Sequence, residues 1–462
     1  MKIYNSMSRN KDEFIPIGDT VKIYACGPTV YNLIHIGNAR PLCVFDVLRR
    51  YLAWRGYKVK FVQNFTDVDD KMINRANEMG ITVKELAEQY ISEYKKDAAG
   101  LNVMPPDVAP RATENIDEII DIIKTLIDKG CAYQSGGDVY FDTSKAKGYG
   151  DISHQSIEQL QSGARIEVSD LKRSPLDFAL WKGAKPGEPS WDSPFGPGRP
   201  GWHIECSAMA RRYLGNTIDI HCGGRDLMFP HHENETAQSR CANGCEFANY
   251  WMHNGHVNFN NEKMSKSKGN FFTVREIAQK YGYEPIRFTL LASHYRSPIN
   301  FTEGIMQQNI SALQRLKTCR ENLEFYLQNA PQSGEKVKFD SFRADFISAL
   351  DDDLNTADAI GVMFEMVKSV NVAIENKMDK ESAENALKLF DEFNNVLGVL
   401  YEEPDGKNGA GDDDAEIERL ISERAAAKSE KNYVRADEIR NILSEMGVIV
   451  EDTPQGAKWR RK

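Results

Sequence analysis

Long apolar runs are missing from this chain of 462 residues. No window approaches the roughly 18 consecutive apolar residues that a membrane-spanning helix needs, and the mean hydropathy is −0.52. The opening residues, MKIYNSMSRNKDEF, contain no apolar segment of the kind found in secretory signals. We therefore expect a soluble, cytoplasmic protein without a membrane partner.

Cysteine and positive charge are also sparse. The eight cysteines are spread over a long chain, unlike the dense disulfide framework of small secreted domains. In such a setting cysteines serve metal binding or catalysis more often than disulfides. With 58 Lys and Arg against 68 Asp and Glu, the net charge of −10 argues against a general nucleic-acid coat protein and is compatible with a local basic face.

The first third of the sequence alternates strand and helix patterns. Two short β-rich runs, at residues 21–26 and 59–62, are each followed by apolar residues at helical spacing. This order predicts an α/β fold with a Rossmann-like, doubly wound parallel sheet. Ligands of such sheets bind at the carboxyl ends of the strands, where Cys26 and Thr66 should lie.

Residues 113–200 interrupt this pattern and are predicted to be an insertion. An amphipathic stretch at 116–129 precedes a hairpin pattern with Gly136 and Gly137 at its turn. The Pro- and Gly-rich residues 185–202 predict a loop without regular structure.

Beyond the insertion, the strand pattern of the sheet resumes at residues 218–221 and again near 257–259. From residue 303 to about residue 400 the apolar spacing is helical without a strand-like run, which predicts a helix bundle. An acidic, Gly-rich stretch then leads to two helices and a final hairpin. The predicted units are the first half of the α/β domain (1–112), the insertion (113–200), the second half (201–302), the helix bundle (303–400), a flexible linker (401–414) and a small α+β unit (415–462).

One group of side chains has the chemistry of a metal centre. His231 and Glu235 are spaced i, i+4 and share one face of a helix. With Cys26 and Cys206 they would offer two thiolates, an imidazole and a carboxylate, which suit tetrahedral zinc better than magnesium or calcium. The sequence has no HExxH motif, which excludes a zincin protease. The residue types alone leave other ligands open, and each cysteine could instead be a packing residue; the competitors are His221, Cys222, His232, Cys241 and Cys245.

A second and a third motif suit phosphate binding. His35-Ile36-Gly37-Asn38 opens a helix directly after the first strand, and helix N-termini bind anions; the alternative is a surface turn. Residues 263–270, KMSKSKGN, form a cationic loop suited to charge on a transferring phosphate. The alternative of a solvated charge run is less favoured, because we assign the strand before Lys263 to the same sheet as the other two motifs.

HIGN and KMSKS, in this order around a Rossmann-like sheet, resemble the two signatures of class I aminoacyl-tRNA synthetases. The longer phrases resemble the cysteinyl-tRNA synthetase family in particular, and the likeness runs from Cys26 to the terminal GAKWRR; these phrases are CGPTVYNLIHIGNAR, NFTDVDDK, GWHIECSAM, GGRDLMFPHHENE and KMSKSKGNFFTV.

The resemblance implies ATP-dependent ligation of L-cysteine to tRNA(Cys) through a cysteinyl-adenylate, with magnesium bound to the ATP. It implies that one zinc ion recognises the substrate thiol, and that Cys222, Cys241 and Cys245 are not ligands. It also implies that the bundle contacts the tRNA stem, that the terminal unit binds the anticodon and that the protein is a monomer. The site residues carried over are the zinc ligands Cys26, Cys206, His231 and Glu235, the catalytic His35, Asn38, Lys263 and Lys266, the ATP-binding Gly37, Gly224, Asp226 and Lys266, the cysteine-binding Thr66 and Trp202, and the tRNA-binding Trp459 and Arg460.

The chain departs from the commoner first signature, which ends in histidine where this chain has Asn38. An amide donates hydrogen bonds but carries no charge, so we expect His35 to dominate phosphate stabilisation. Two other functions fit the same motifs. One is a cysteine ligase that acts on an amino sugar with the same catalytic core, and the other is a non-enzymatic zinc- or RNA-binding protein. The terminal unit argues against the first, and the intact motifs argue against the second.

Overall fold

The computed structural model describes residues 1–156, 171–259, 262–263, 272–403, 414–453 and 456–461. The strands are β1 (Lys2–Asn5), β2 (Asn10–Glu13), β3 (Thr20–Ala25), β4 (Lys58–Gln63), β5 (Ala132–Ser135), β6 (Asp138–Phe141), β7 (Phe178–Gly183), β8 (Gly198–Pro200), β9 (Ile218–Gly224), β10 (Ala248–Asn254), β11 (Val257–Phe259), β12 (Glu262–Lys263), β13 (Ile299–Phe301), β14 (Val448–Thr453) and β15 (Gly456–Arg461). Across these ranges, no helix is both long and apolar enough to cross a bilayer.

The helices lie between these strands and after them. They are α1 (Ile36–Trp54), α2 (Asp70–Met79), α3 (Val83–Gly100), α4 (Ile116–Asp128), α5 (Trp202–Leu214), α6 (Glu233–Asn243), α7 (Val274–Tyr281), α8 (Tyr283–Leu291), α9 (Glu303–Leu327), α10 (Asp340–Asp351), α11 (Thr356–Glu375), α12 (Lys380–Leu397), α13 (Asp414–Ser429) and α14 (Tyr433–Glu445). A short 3₁₀ turn (Arg225–Leu227) and a π turn (Met228–His232) connect β9 to α6.

A four-stranded parallel sheet with the order β10-β9-β3-β4 forms the centre of the first domain. Alternate residues of β3 point to opposite faces. Val21 and Ile23 join the core that includes α1, whereas Tyr24 joins the core that includes α5. Helices therefore cover both faces of the sheet, and the prediction of a doubly wound parallel sheet is confirmed.

The strand β9 contains the predicted residues 218–221, whereas the remaining strand of this sheet differs from the prediction. The edge strand is β10, which the sequence analysis missed, whereas β11 pairs with β12 and β13 in a separate three-stranded sheet. The chain turns at Gly255, where a Cβ would lie 2.6 Å from the carbonyl oxygens of Arg296 and Ser297. The assignment of the strand before Lys263 to the parallel sheet was therefore wrong.

Helix α4 and the antiparallel sheet β5-β6-β7-β8 occupy the predicted insertion. The β5-β6 hairpin turns at Gly136 and Gly137, whose φ angles of 62° and 90° favour glycine. The predicted loop at 185–202 was partly wrong, because it ends in β8. Gly198 permits this pairing, since a Cβ there would overlap with the Lys182 carbonyl oxygen.

Helices α9 to α12 form the predicted bundle, and α13, α14 and the β14-β15 hairpin form a terminal unit with its own small apolar core. The bundle's chain is anchored beyond Leu400. The Tyr401 hydroxyl donates to the Gly100 carbonyl (2.8 Å), and Glu403 accepts from the Tyr283 and Glu284 N–H groups at the start of α8 (2.6 and 3.0 Å). Most of the predicted linker, 404–413, lies outside the described residues.

Candidate functional site

The candidate metal ligands meet at the carboxyl ends of β3, β4 and β9. Cys26 follows β3 directly, and Thr66 lies three residues after β4. The turns after β9 bring His231 to this edge, and α6 follows with Glu235. Cys206 comes from α5, which packs against the sheet. This is the edge at which parallel sheets bind ligands, so Cys26 and Thr66 lie where they were expected.

The four candidate zinc ligands form a cluster in which three residues are buried and Cys26 is partly buried. The Cys26 and Cys206 sulfurs are 3.9 Å apart, and Cys26 Sγ lies 3.4 Å from Glu235 Oε1. His231 Nε2 lies 3.7 Å from Cys206 Sγ and 2.8 Å from Glu235 Oε1. Ligand atoms around a tetrahedral zinc ion lie about 3.3–3.8 Å apart at ordinary bond lengths. The donor set therefore fits zinc in chemistry and needs only small shifts in position.

A second set of ligand atoms overlaps with the first. Cys26, His221, His232 and Glu235 also have one ligand atom each within 4.8 Å of all the others. His232 Nε2 lies 3.3 Å from Cys26 Sγ, and His221 Nε2 lies 2.7 Å from Glu235 Oε2. The two sets share Cys26 and Glu235, so the geometry leaves two alternative arrangements around one pair of ligands.

The remaining competitors lie elsewhere. The Cys222 thiol donates to the Tyr24 carbonyl (3.5 Å). Cys241 faces the Lys145 carbonyl (3.9 Å), and Cys245 is exposed near Asn216.

Electrostatics in this cluster favour a mixed charge state. A hydrogen bond from the Cys26 thiol, with help from His231, lowers the pKa of Cys206 to about 6. Burial raises the pKa of Cys26 well above its usual range. Burial would lower the pKa of His231, but the Glu235 carboxylate and Cys206 outweigh it and raise that pKa to about 10. The metal-free centre at neutral pH thus contains a thiolate, an imidazolium and a carboxylate.

Several polar side chains that the sequence analysis missed support these ligands. The Asn64 amide oxygen accepts from the Gly27 N–H (2.9 Å) and lies 3.7 Å from Cys206 Sγ. His203 Nδ1 lies 3.0 Å from His231 Nδ1. Asn64 belongs to the quoted phrase NFTDVDDK and His203 to GWHIECSAM, and each directly follows or precedes an apolar residue that is buried. Isolated polar residues of this kind carry no periodic signal in a sequence.

The two predicted cysteine-binding residues lie beside the cluster. The Trp202 ring stacks on the His231 ring with centroids 4.3 Å apart and is 39% exposed, so it can form a wall of an accessible pocket. The Thr66 hydroxyl is buried and donates to Glu205 Oε2 (2.8 Å), next to Cys206 in the sequence.

His35 and Asn38 form the N-terminus of α1 together. His35 is the N-cap, and its Nδ1 accepts from the Gly37 N–H (3.0 Å). The Asn38 amide oxygen accepts from the His35 N–H (3.3 Å), which completes a capping box. Because Nδ1 is an acceptor, the neutral ring carries its proton on Nε2. The structure thus gives Asn38 a capping role and indicates that the His35 ring proton lies on Nε2.

The other predicted site residues are placed in part. Gly224 ends β9 and Asp226 lies in the following turn, at the ligand-binding edge of the sheet. The backbone of Lys263 pairs with Asn258 of β11, whereas Lys266 lies outside the described residues.

The terminal unit carries the predicted tRNA-binding residues. Trp459 and Arg460 lie on β15, paired with Val450 and Ile449 of β14. Tyr433, which the sequence analysis did not single out, begins α14 with a side chain that is 62% exposed.

Comparison with protein families gives three matches along the chain. Residues 14–311 match the model described as "tRNA synthetases class I (C) catalytic domain", residues 345–401 match "DALR domain", and residues 410–460 match "Cysteinyl-tRNA ligase anticodon binding domain".

Curated proteins named cysteine--tRNA ligase are similar over their whole length. The proteins of Clostridioides difficile and Caldicellulosiruptor saccharolyticus are each 55% identical, over 469 and 467 residues, with 100% of both chains covered. The protein of Shouchella clausii is 52% identical and is 99% covered.

Solved structures with little sequence identity share the fold. The Mycobacterium tuberculosis methionyl-tRNA synthetase in complex with methionyl-adenylate has a TM-score of 0.59 at 16% identity, with 83% of this chain and 90% of that chain covered. The Agrobacterium radiobacter leucyl-tRNA synthetase ternary complex has a TM-score of 0.61 at 11% identity, with 84% and 85% covered. These likenesses show the class I synthetase fold.

Proposed function

Because the chain belongs to the family of cysteine--tRNA ligases, we propose that it ligates L-cysteine to tRNA(Cys) at the expense of ATP, through a cysteinyl-adenylate intermediate. Relatives of this name are 52–55% identical over the full length. The observation that carries the proposal is the thiol-containing cluster at the carboxyl end of the sheet, in a chain that also has a matching anticodon-binding unit. We further propose that the enzyme is a cytoplasmic monomer.

A zinc ion held by Cys26, Cys206, His231 and Glu235 is part of this proposal. When bound, zinc would supply a Lewis acid with a strong preference for a thiolate over an alcohol. An apolar pocket separates near-isosteres by only about 1–3 kcal/mol. Serine differs from cysteine in a single atom, so this preference would give the pocket its selectivity without an editing domain.

Two arguments favour the first of the two overlapping ligand sets: the number of its thiol ligands and the contacts that its ligands make with neighbouring side chains. The first set has two thiols and the second has one, and zinc favours the softer set. In the first set, His221 and His232 become supporting residues. His221 Nε2 holds the second oxygen of Glu235, and His232 contacts Cys26. Such partners orient the ligands of metal sites.

Zinc content of purified variants tests this choice. We expect Cys206→Ser to lose most of its bound zinc after dialysis, since it removes one of the two thiolates. His232→Gln should retain close to one zinc per chain, because it removes a supporting residue. Retention by Cys206→Ser together with loss by His232→Gln would assign the metal to the second set.

Adenylate formation would occur beside this pocket. The cysteine carboxylate attacks the α-phosphorus of the magnesium-bound ATP, and pyrophosphate leaves. The Nε2–H of His35 donates to the phosphates, and Lys266, assisted by Lys263, neutralises the charge that develops in the transition state. Gly37 allows close approach of the nucleotide at the start of α1, while Gly224 and Asp226 hold the adenosine.

The second step requires the tRNA. Its terminal ribose hydroxyl attacks the adenylate carbonyl and AMP leaves. The bundle contacts the tRNA stem and the terminal unit reads the anticodon, with Trp459 and Arg460 offering a stacking surface and a cation. Tyr433 adds an exposed aromatic ring on the same unit.

Cysteine-dependent exchange between ATP and pyrophosphate tests the first step directly. We expect exchange with cysteine and little with serine. Equal exchange with both amino acids would overturn thiol recognition. The amino-sugar ligase alternative also performs the exchange, but the family match at residues 410–460 disfavours it.

A further inference from the structure

Arg40 is a fully buried cation close to the HIGN motif. Its side chain is 0% exposed, on the second turn of α1, two residues after Asn38. The guanidinium donates to three backbone carbonyls, those of Gly255 (2.8 Å), His256 (3.2 Å) and His294 (3.1 Å). All of these hydrogen bonds reach across the fold to other segments.

The three carbonyls belong to the backbone that leads from the parallel sheet into the three-stranded sheet. Gly255 and His256 connect β10 to β11, and His256 also accepts from the Ile299 N–H (2.9 Å) at the start of β13. The Gly255 N–H donates to the Tyr295 carbonyl (2.8 Å). Arg40 therefore joins α1 to the crossing point of two sheets and the loop after α8.

Backbone hydrogen bonds also fix the segment that follows the lysine-rich residues 263–270 to the start of α1. The Ile36 N–H donates to the Phe272 carbonyl (3.3 Å), and the Val274 N–H donates to the Ile34 carbonyl (2.9 Å). The backbone on both sides of the lysine-rich segment is therefore hydrogen-bonded to the start of α1. Before the lysine-rich segment, the Arg40 side chain links the Gly255–His256 backbone to α1. After that segment, backbone hydrogen bonds make the link.

Arg40 is a buried cation whose described hydrogen-bond acceptors are all uncharged backbone carbonyls. Within the described part of the chain no carboxylate pairs with it. Burial lowers its pKa to about 10, which still leaves it protonated at neutral pH. A buried cation without a counter-ion is costly, and a neutral amide could bridge two of the carbonyls. The three carbonyl acceptors offset part of this cost, and an anion bound at the neighbouring start of α1 would offset more of it.

We propose that Arg40 is a positioning residue for adenylate formation: it fixes the Gly255–His256 backbone against α1 and adds positive charge beneath the phosphate site. The role rests on the proposed function, because it concerns the ATP half of that reaction. The thiol-containing cluster lies on other elements, after β3, on α5 and around the start of α6, and no hydrogen bond or ion pair between described residues joins it to Arg40. Loss of Arg40 should therefore affect kcat and the use of ATP more than the binding of cysteine.

The test is steady-state pyrophosphate exchange by Arg40→Gln and Arg40→Lys. We expect Arg40→Gln to lower kcat by about thirtyfold, since small misplacements of catalytic groups cost about this much or more. Arg40→Lys keeps the charge but not the three-way fork, and should recover part of the loss. The KM for cysteine should stay within about twofold in both variants, because ground-state binding of the amino acid is not involved.

Arg287 provides a matched control. It is also fully buried and bonds the Leu397 and Leu101 carbonyls, but it pairs with Asp46 (2.6 Å). Arg287→Lys should lower the Tm without a comparable loss in kcat.

Three results would overturn the role of Arg40. They are unchanged kcat in folded Arg40→Gln, a rise in the cysteine KM that parallels the loss in kcat, and an equal loss in Arg287→Lys. If Arg40→Gln does not fold, Arg40→Lys decides, and an unchanged kcat there overturns the role. Absence of exchange in the unmodified protein would instead overturn the proposed function together with it.

Discussion

Asn38 stands where the commoner signature has histidine, and its amide oxygen holds the His35 N–H at 3.3 Å. Its position in the capping box means that it stabilises the start of α1. His35 uses Nδ1 for the Gly37 N–H, which places the ring proton on Nε2. Both side chains therefore cap α1, and the ring of His35 also has a proton on Nε2, which the motif letters alone do not reveal.

Substitution at these two positions should have unequal effects. His35→Ala should lower kcat for pyrophosphate exchange by about 100-fold, because it removes a donor to the transition state. Asn38→Ala should lower kcat by about tenfold or less and reduce stability by about 1 kcal/mol through loss of the cap. Asn38→Asp is the control, since its carboxylate retains the cap acceptor. Equal losses in kcat for the two alanine variants would contradict this ranking.

His253 is a buried neutral histidine behind the candidate metal ligands. Its Nε2 lies 2.8 Å from His232 Nδ1, and its Nδ1 lies 2.7 Å from the Ser6 hydroxyl. Burial lowers the pKa of His253 to about 3, with smaller contributions from the charges of His221 and Arg225, while Glu235 acts in the opposite direction.

This histidine should make the fold sensitive to acid. Between about pH 6.5 and pH 3 the unfolded chain binds a proton at His253 that the folded chain does not, so stability falls as the pH falls. One such group contributes a slope of up to about 1.4 kcal/mol per pH unit. Urea unfolding at several pH values should give a shallower slope for His253→Gln than for the unmodified protein. Parallel curves for the two proteins would show that His253 is not the group responsible.

At the scale of elements, Asp353 joins three parts of the chain. It lies between α10 and α11 and is fully buried. Its carboxylate accepts from the Tyr4 N–H of β1 (2.8 Å), the Tyr295 hydroxyl (2.7 Å) and Arg296 Nε (2.6 Å). The bundle, the first hairpin and the loop after α8 are therefore fixed to one another through a single side chain.

Removal of this carboxylate should be strongly destabilising. Asp353→Ala leaves the Tyr295 hydroxyl and the Tyr4 N–H without their acceptor, and each buried donor left unpaired costs about 1–3 kcal/mol. The neighbouring Asp352 pairs with Lys11 (2.6 Å) on the surface, so Asp352→Ala should cost less than about 1 kcal/mol. Chemical denaturation of the two variants measures both values, and similar costs would contradict the role of Asp353.

Helices and strands with a clear periodic or turn pattern in the sequence were predicted, whereas those without one were missed. The strand β3 and helix α1 have clear periodicity, and turn glycines mark the β5-β6 hairpin, so the sequence predicted all of them. The strand β10, by contrast, is buried on nearly every residue and therefore lacks an alternating pattern. The short β8 depends on close contact at Gly198, which is a tertiary feature.

The candidate site was predictable for a different reason. The i, i+4 spacing identified His231 and Glu235 as a pair, and the resemblance selected their two cysteines. His221 and His232 reach the same cluster only because β9 and the following turns place them there. The supporting Asn64 and Arg40 act through distant backbone atoms, which no local pattern encodes.

At the scale of the whole molecule, the net charge of −10 does not describe the surface that would meet RNA. The helices α13 and α14 and the β14-β15 hairpin share a small core of their own, and α14 carries the exposed ring of Tyr433. The sequence of this unit ends in WRRK. Binding through such a local face should be selective for one folded RNA and sensitive to salt.

Removal of the terminal unit should separate the two steps. Because Tyr401 and Glu403 are hydrogen-bonded to the first domain, the chain should be truncated after Glu403 rather than after Leu400. The truncated protein should retain pyrophosphate exchange close to that of the full chain and lose tRNA charging. A cut after Leu400 is the comparison, and it should also lower the Tm because it removes these anchors. Full charging by the protein cut after Glu403 would contradict the assigned role of the unit.

The most direct measurement is the charging of a tRNA(Cys) transcript by the zinc-containing full chain, with radiolabelled cysteine and serine compared side by side. The account predicts cysteinyl-tRNA with cysteine and no detectable product with serine. Failure to charge the tRNA, or equal charging with serine, would contradict it.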